Sequence, residues 1–159
     1  MTKTFNKIRY IELLKKDQSL KSKNSSLYKE NRIEYRELLS YGVILYNQIL
    51  YNRRHYYISL IEKYVTNEID SLLLRIQFFQ IHREENKIKK NIEKNFERLS
   101  NVLTDSKSDE FSMLIADIFD ACEALKPDSE PEEAYGITEL QFRAFLEKTF
   151  LQMKKYSDE

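Results

Sequence analysis

A chain of 159 residues fits one domain better than two, and a hydrophobic content of 42% supplies one real core. Glycine and proline occur only twice each, too rarely for the turns of an all-β fold or the tight glycines of a dinucleotide-binding fold, so the chain reads as helical. Net charge is zero, yet residues 1–100 carry 20 Lys and Arg against 12 Asp and Glu, while residues 101–159 carry 6 against 14. That asymmetry either neutralises one half of a bundle with the other or presents two surfaces of opposite sign.

The amphipathic pattern begins at Phe5–Lys16, with Ile8, Ile11 and Leu14 on one stripe. The polar, serine-rich segment 17–26 reads as a linker. From Leu27 to Thr66 the helical period is strong. Leu39, Val43, Tyr46, Leu50, Tyr57, Leu60, Ile61 and Tyr64 form one stripe, and Tyr35, Leu38, Leu45, Ile49 and Tyr56 a second. A helix apolar on two sides is covered on two sides, by the N-terminal segment or by another chain. A break is allowed at "YNRRHYY", and "VTNEID" reads as a turn in which Asp70 caps the next helix.

That next helix shows a stripe of Ile69, Leu72, Leu73, Ile76 and Phe79, slips phase at "HREENK", and resumes at Ile88, Ile92, Phe96, Leu99 and Leu103. Glu110–Leu125 is a further helix whose apolar face is Phe111, Leu114, Ile115, Ile118, Cys122 and Leu125. An acidic loop holding Pro127 and Pro131 follows, and Thr138 with Gln141 forms a capping box for the last helix. The predicted fold is all-α: an antiparallel four- to five-helix bundle over residues 53–159 with an N-terminal helical extension over residues 1–52.

The residue types exclude most chemistry. Di-iron bundles need inward Glu-x-x-His pairs, and none occurs here; His55 and His82 stand beside arginines, and one cysteine cannot build a zinc site. Neither a metal nor another cofactor is expected. Cys122 lies within an apolar face beside Asp120 and Glu123, the setting of a buried hydrophobe and not of a reactive thiolate. Phosphate loops and nucleophile elbows are absent. Paired carboxylates such as Asp117 and Asp120 would be wet, which does not suit acid–base work. The expectation is a protein without enzymatic activity. One cysteine implies a reducing compartment, the N-terminus shows no apolar leader, and no apolar run is long enough for a bilayer. This points to the cytoplasm, or to an organellar stroma or matrix if an AT-rich organelle genome encodes the chain.

Two binding surfaces remain. Asp117, Asp120 and Glu123 fall on the side of their helix opposite the apolar face, and Asp128, Glu130, Glu132 and Glu133 continue from it on the loop. Together they read as a docking surface for a basic protein. The alternative is an RNA-binding or structural assembly subunit using the basic, tyrosine-rich half, where Arg53, Arg54, His55 and Tyr56 mix the groups that neutralise phosphates and stack on bases.

Residues Tyr56–Met153 also resemble the colicin D immunity-like proteins. The resemblance rests on "YYISLIEKYVTNEIDSLLLRIQFF", on "LIADIFDACEALKPD", whose Asp120–Ala121 stands where that family has an Asp-Ala pair before an acidic loop, and on "YGITELQFRAFLEKTF". It implies a small helical bundle that blocks a nuclease toxin, so the basic partner would be such a toxin.

Overall fold

A computed structural model describes residues 4–126 and 135–157. Its helices are α1 (Lys7–Ser22), α2 (Leu27–Glu30), α3 (Arg32–Asn52), α4 (Arg54–Val65), α5 (Ser71–Lys94), α6 (Phe96–Ser100), α7 (Lys107–Ala124) and α8 (Glu139–Met153), followed by a 3-10 turn at Lys154–Tyr156. The described residues contain no strand, only one isolated bridge between Leu125 and Ile137. The all-α bundle is as expected, but it is cut into more and shorter pieces.

Local chemistry explains the cuts. Side chains of Asn6, Asn31, Asp70 and Asn95 accept from the backbone N–H three residues on, so each starts a helix. Thr138 and Gln141 form the expected reciprocal box. At the other ends, Asn24 (φ 60°) and Asn67 (φ 63°) adopt the left-handed conformation that asparagine tolerates. The N–H of Ser25 reaches Leu20 O, and that of Glu68 reaches Lys63 O, closing a Schellman turn after α1 and another after α4.

The segment 17–26 is therefore not a linker as expected. α1 continues through Ser22, because Asp17 pairs with Lys21 one turn on, at 2.8 Å, and also accepts the N–H of Leu27. Only the asparagine turn separates α1 from α2. The break inside "YNRRHYY" is real and falls at Arg53, between α3 and α4.

Buried side chains form two clusters. One holds Leu50, Tyr57, Ile61, Tyr64, Leu74, Phe78, Phe111, Ile118, Phe142 and Leu146, from α3, α4, α5, α7 and α8. The other holds Tyr10, Leu13, Leu27, Tyr41, Leu45, Ile49, Ile92 and Leu99, from α1, α2, α3, α5 and α6. α3 and α5 run through both, which ties the N-terminal helices to the rest. Of the second stripe, Leu45 and Ile49 are buried in the cluster that α1 shares, Tyr35 and Leu38 are partly buried against it, and Tyr56 is 47% exposed.

Two expected stripes are misplaced. Leu39 and Val43 are 50% and 57% exposed, because α1 packs on the adjacent face of α3. On α5, Leu72 and Ile76 face solvent and Leu74 and Phe78 face the core. The slip seen at "HREENK" is the core row continuing through Leu74, Phe78, Glu85 and Ile92, with a carboxylate at a core position.

Candidate functional site

α7 presents the acidic face. Asp109 and Glu110 lie in its first turn, where carboxylates suit the helix dipole, and the Asp105 side chain accepts the Lys107 N–H at 2.8 Å. Phe111, Ile115, Ile118, Ala121 and Cys122 are buried, which fixes the rotation of the helix. Asp117, Asp120 and Glu123 consequently face solvent beside exposed Ala116, and Met113, one turn before Asp117, is 68% exposed. None of the three carboxylates has a cation within ion-pair distance among the described residues.

Several carboxylates on other helices are paired. Arg9 bridges α1 to Glu34 and Glu37 of α3, Lys16 also reaches Glu34, Arg53 binds Glu84, and Lys89 binds Glu93. These pairs lie within the first hundred residues. Several cations of the basic half are thus engaged by its own acids, and none of these pairs involves the α7 face.

Asp128, Glu130, Glu132 and Glu133 lie outside the described residues. The backbone on either side is pinned: the Lys126 N–H donates to Ile137 O at 3.0 Å, and the Ile137 N–H to Ala124 O at 2.8 Å. Gly136 makes this closure possible. Its φ is +131°, and a Cβ there would stand 2.5 Å from Ala124 O. The described backbone on the two sides of that segment thus meets at the C-terminal end of α7.

The four residues of the nucleic-acid alternative sit where α3 breaks into α4. Arg53 pairs with Glu84 at 2.9 Å and lies over the Tyr56 ring, 4.6 Å from its centre. Arg54 donates to the carbonyls of Tyr156 and Tyr51 at 2.7 and 3.0 Å and stacks on Tyr51. Both guanidiniums are engaged inside the fold. His55 and Tyr56, with ring centres 4.1 Å apart, face solvent.

Cys122 is fully buried, and burial pushes its thiol up to about 12, so at neutral pH it is a packing group without nucleophilic character. Among the described residues no group of His, Cys, Asp and Glu is arranged to hold a metal ion. No helix among them is long and apolar enough to cross a membrane.

Sequence reasoning missed a buried polar chain. Glu85 is wholly buried; its Oε2 accepts the Tyr57 hydroxyl at 2.6 Å and the Tyr46 hydroxyl at 3.1 Å, and Tyr46 also meets His82 Nδ1. Tyr46 has one proton, so donating it to Glu85 requires His82 to donate through Nδ1–H. Arg53 Nε stands 3.7 Å from Glu85 Oε1, too far for a hydrogen bond, and both atoms lack one. Burial raises the Glu85 carboxyl above its ordinary range, against the opposing pull of Tyr57, Tyr46 and Arg53. Burial lowers His82. The phase slip at "HREENK" was the available signal: a seven-residue step from Phe78 to Glu85 and another to Ile92 puts a carboxylate in the core row.

No protein-family model matches this chain, and comparisons with curated proteins and with solved structures return no match either.

Proposed function

We propose that this chain is a non-enzymatic binding protein that docks a basic protein partner through the acidic face of α7 and the adjoining acidic segment. The carrying observation is that Asp117, Asp120 and Glu123 stand exposed on one face with no cation within ion-pair distance among the described residues, in a molecule where several other helix-borne acids are paired. Like charges held on one rigid face repel one another, and a basic partner relieves that repulsion while its field speeds encounter. Exposed Met113, on the same face, adds an adaptable apolar contact. The resemblance to colicin D immunity-like proteins makes a nuclease toxin domain the partner to test first.

The RNA-binding reading has less support, because Arg53 and Arg54 are committed to Glu84, Tyr51, Tyr56 and Tyr156. The test is binding of purified colicin D-type and other basic nuclease domains to the wild type and to a triple variant, Asp117→Lys, Asp120→Lys and Glu123→Lys. The proposal expects wild-type binding that the triple variant loses with its helicity intact. Equal binding by both proteins overturns it, as does the absence of binding to any basic domain accompanied by salt-sensitive binding to RNA.

A further inference from the structure

A concavity among the described residues lies away from α7, and none of the α7 carboxylates lines it. It is a groove of about 780 Å³ between α1, α3 and the second half of α5. Its walls carry the misplaced stripe, Leu39 and Val43, together with Leu14 and Leu38. Gly42 has no side chain to fill the floor: a Cβ there would meet Lys89 Nζ at 3.3 Å and the Tyr10 hydroxyl at 3.6 Å. That hydroxyl is itself unusual. Tyr10 is 0% exposed, lines the groove, and its oxygen makes no hydrogen bond of good geometry, although Glu93 lies near.

Charge is concentrated towards one end. Lys21, Lys89, Lys90 and Lys94 stand against two carboxylates, Asp17 and Glu93. Asp17 is taken by Lys21 and by the Leu27 N–H, and Glu93 by Lys89. Lys90 and Lys94 have no acidic partner among the described residues. From His82 to Lys94 along α5 the groove is about 18 Å long. The volume falls within that of small-molecule sites.

We propose that this groove binds a free single-chain anionic amphiphile, with the alkyl chain against Leu14, Leu38, Leu39 and Val43 and the anionic head at Lys90 and Lys94. The apolar wall favours the chain, and the surplus of ammonium groups selects the sign of the head. Affinity should rise about four-fold for each methylene added to a chain that still fits, because each buried CH₂ contributes about that factor.

The test is calorimetric titration below micellar concentrations with dodecyl phosphate, dodecanoate, dodecanol and dodecyltrimethylammonium, and separately with phosphatidylglycerol vesicles. One-to-one binding of the two anions, weaker binding of dodecanol and rejection of the cation are expected. Val43→Trp, at an exposed position, should abolish binding, and Lys90→Glu with Lys94→Glu should weaken dodecyl phosphate about ten-fold at low salt. Circular dichroism and unfolding curves establish that both variants remain folded. Absence of saturable anion binding, unaltered binding by a folded Val43→Trp, equal binding of the cation, or binding to vesicles alone would each overturn the proposal.

Discussion

Substituting Glu85 separates the contribution of its shape from that of its charge. Glu85→Gln preserves size and leaves an amide oxygen for Tyr57 and Tyr46, while removing a charge from a site with no solvent exposure. Arg53 keeps Glu84. Neutral replacement of a buried, imperfectly compensated charge is commonly neutral or stabilising, so Glu85→Gln should gain from zero to about 2 kcal/mol near neutral pH. Glu85→Ala does the opposite. It orphans the Tyr57 hydroxyl, whereas Tyr46 can still turn to His82, and it opens a cavity. A buried orphan costs about 1–3 kcal/mol and the cavity adds to it, giving a loss of about 3 kcal/mol.

The pH dependence follows from linkage. The folded-state value of Glu85 is raised above the ordinary 4.5, so the folded protein holds its proton more tightly than the unfolded chain. Its contribution is complete below about pH 4.5 and is lost as pH rises from there through the raised value. His82, lowered from 6.5 by burial, acts in the other direction: its contribution is complete above about pH 6.5 and is lost as pH falls towards the lowered value. Glu85→Gln should leave the His82 dependence alone. Urea unfolding followed by far-UV circular dichroism, at about pH 5 and about pH 8, measures both effects. The stability difference between Glu85→Gln and wild type should shrink at the lower pH. A Glu85→Gln protein destabilised by more than about 2 kcal/mol at the higher pH, or a difference unchanged between the two, would refute the reasoning.

Gly136→Ala forces a side chain onto a backbone at φ +131° and into Ala124 O; a loss of about 1–3 kcal/mol or more is expected, read from denaturant midpoints. Tyr10→Phe removes a buried hydroxyl that has no hydrogen bond, so stability should stay within about 1 kcal/mol of wild type or rise. A fragment starting at residue 53 strips α3 from α7 and uncovers Ile92 and Leu99; it should lose cooperative unfolding, which thermal scans would reveal.

Much of the helical layout was legible because it depends on short-range chemistry. Asp70, the Thr138–Gln141 pair and the buried face around Phe111, Ile118 and Cys122 follow from spacing within a turn or two. The exposure of Asp117, Asp120 and Glu123 follows from that same face. The faces of α3 and α5 were harder to read. α3 has apolar residues on two sides, and only the docking of α1 decides that Leu45 is buried and Val43 exposed. Glu85 was hidden for a related reason: its burial depends on hydroxyls from α4 and α3 that lie 28 and 39 residues away, respectively. Arg53 and Arg54 looked available because their partners Glu84 and Tyr156 are likewise distant in the chain.

The central claim is that the α7 carboxylates recruit a basic protein. The most direct measurement is the association rate of a colicin D-type nuclease domain with wild type and with Asp120→Lys, Glu123→Lys, across a range of ionic strength. Steering by an exposed, unpaired acidic face predicts fast, salt-sensitive association in the wild type, and a slower rate with a flattened salt dependence in a variant that still folds. Equal rates and equal salt slopes for the two proteins would contradict it.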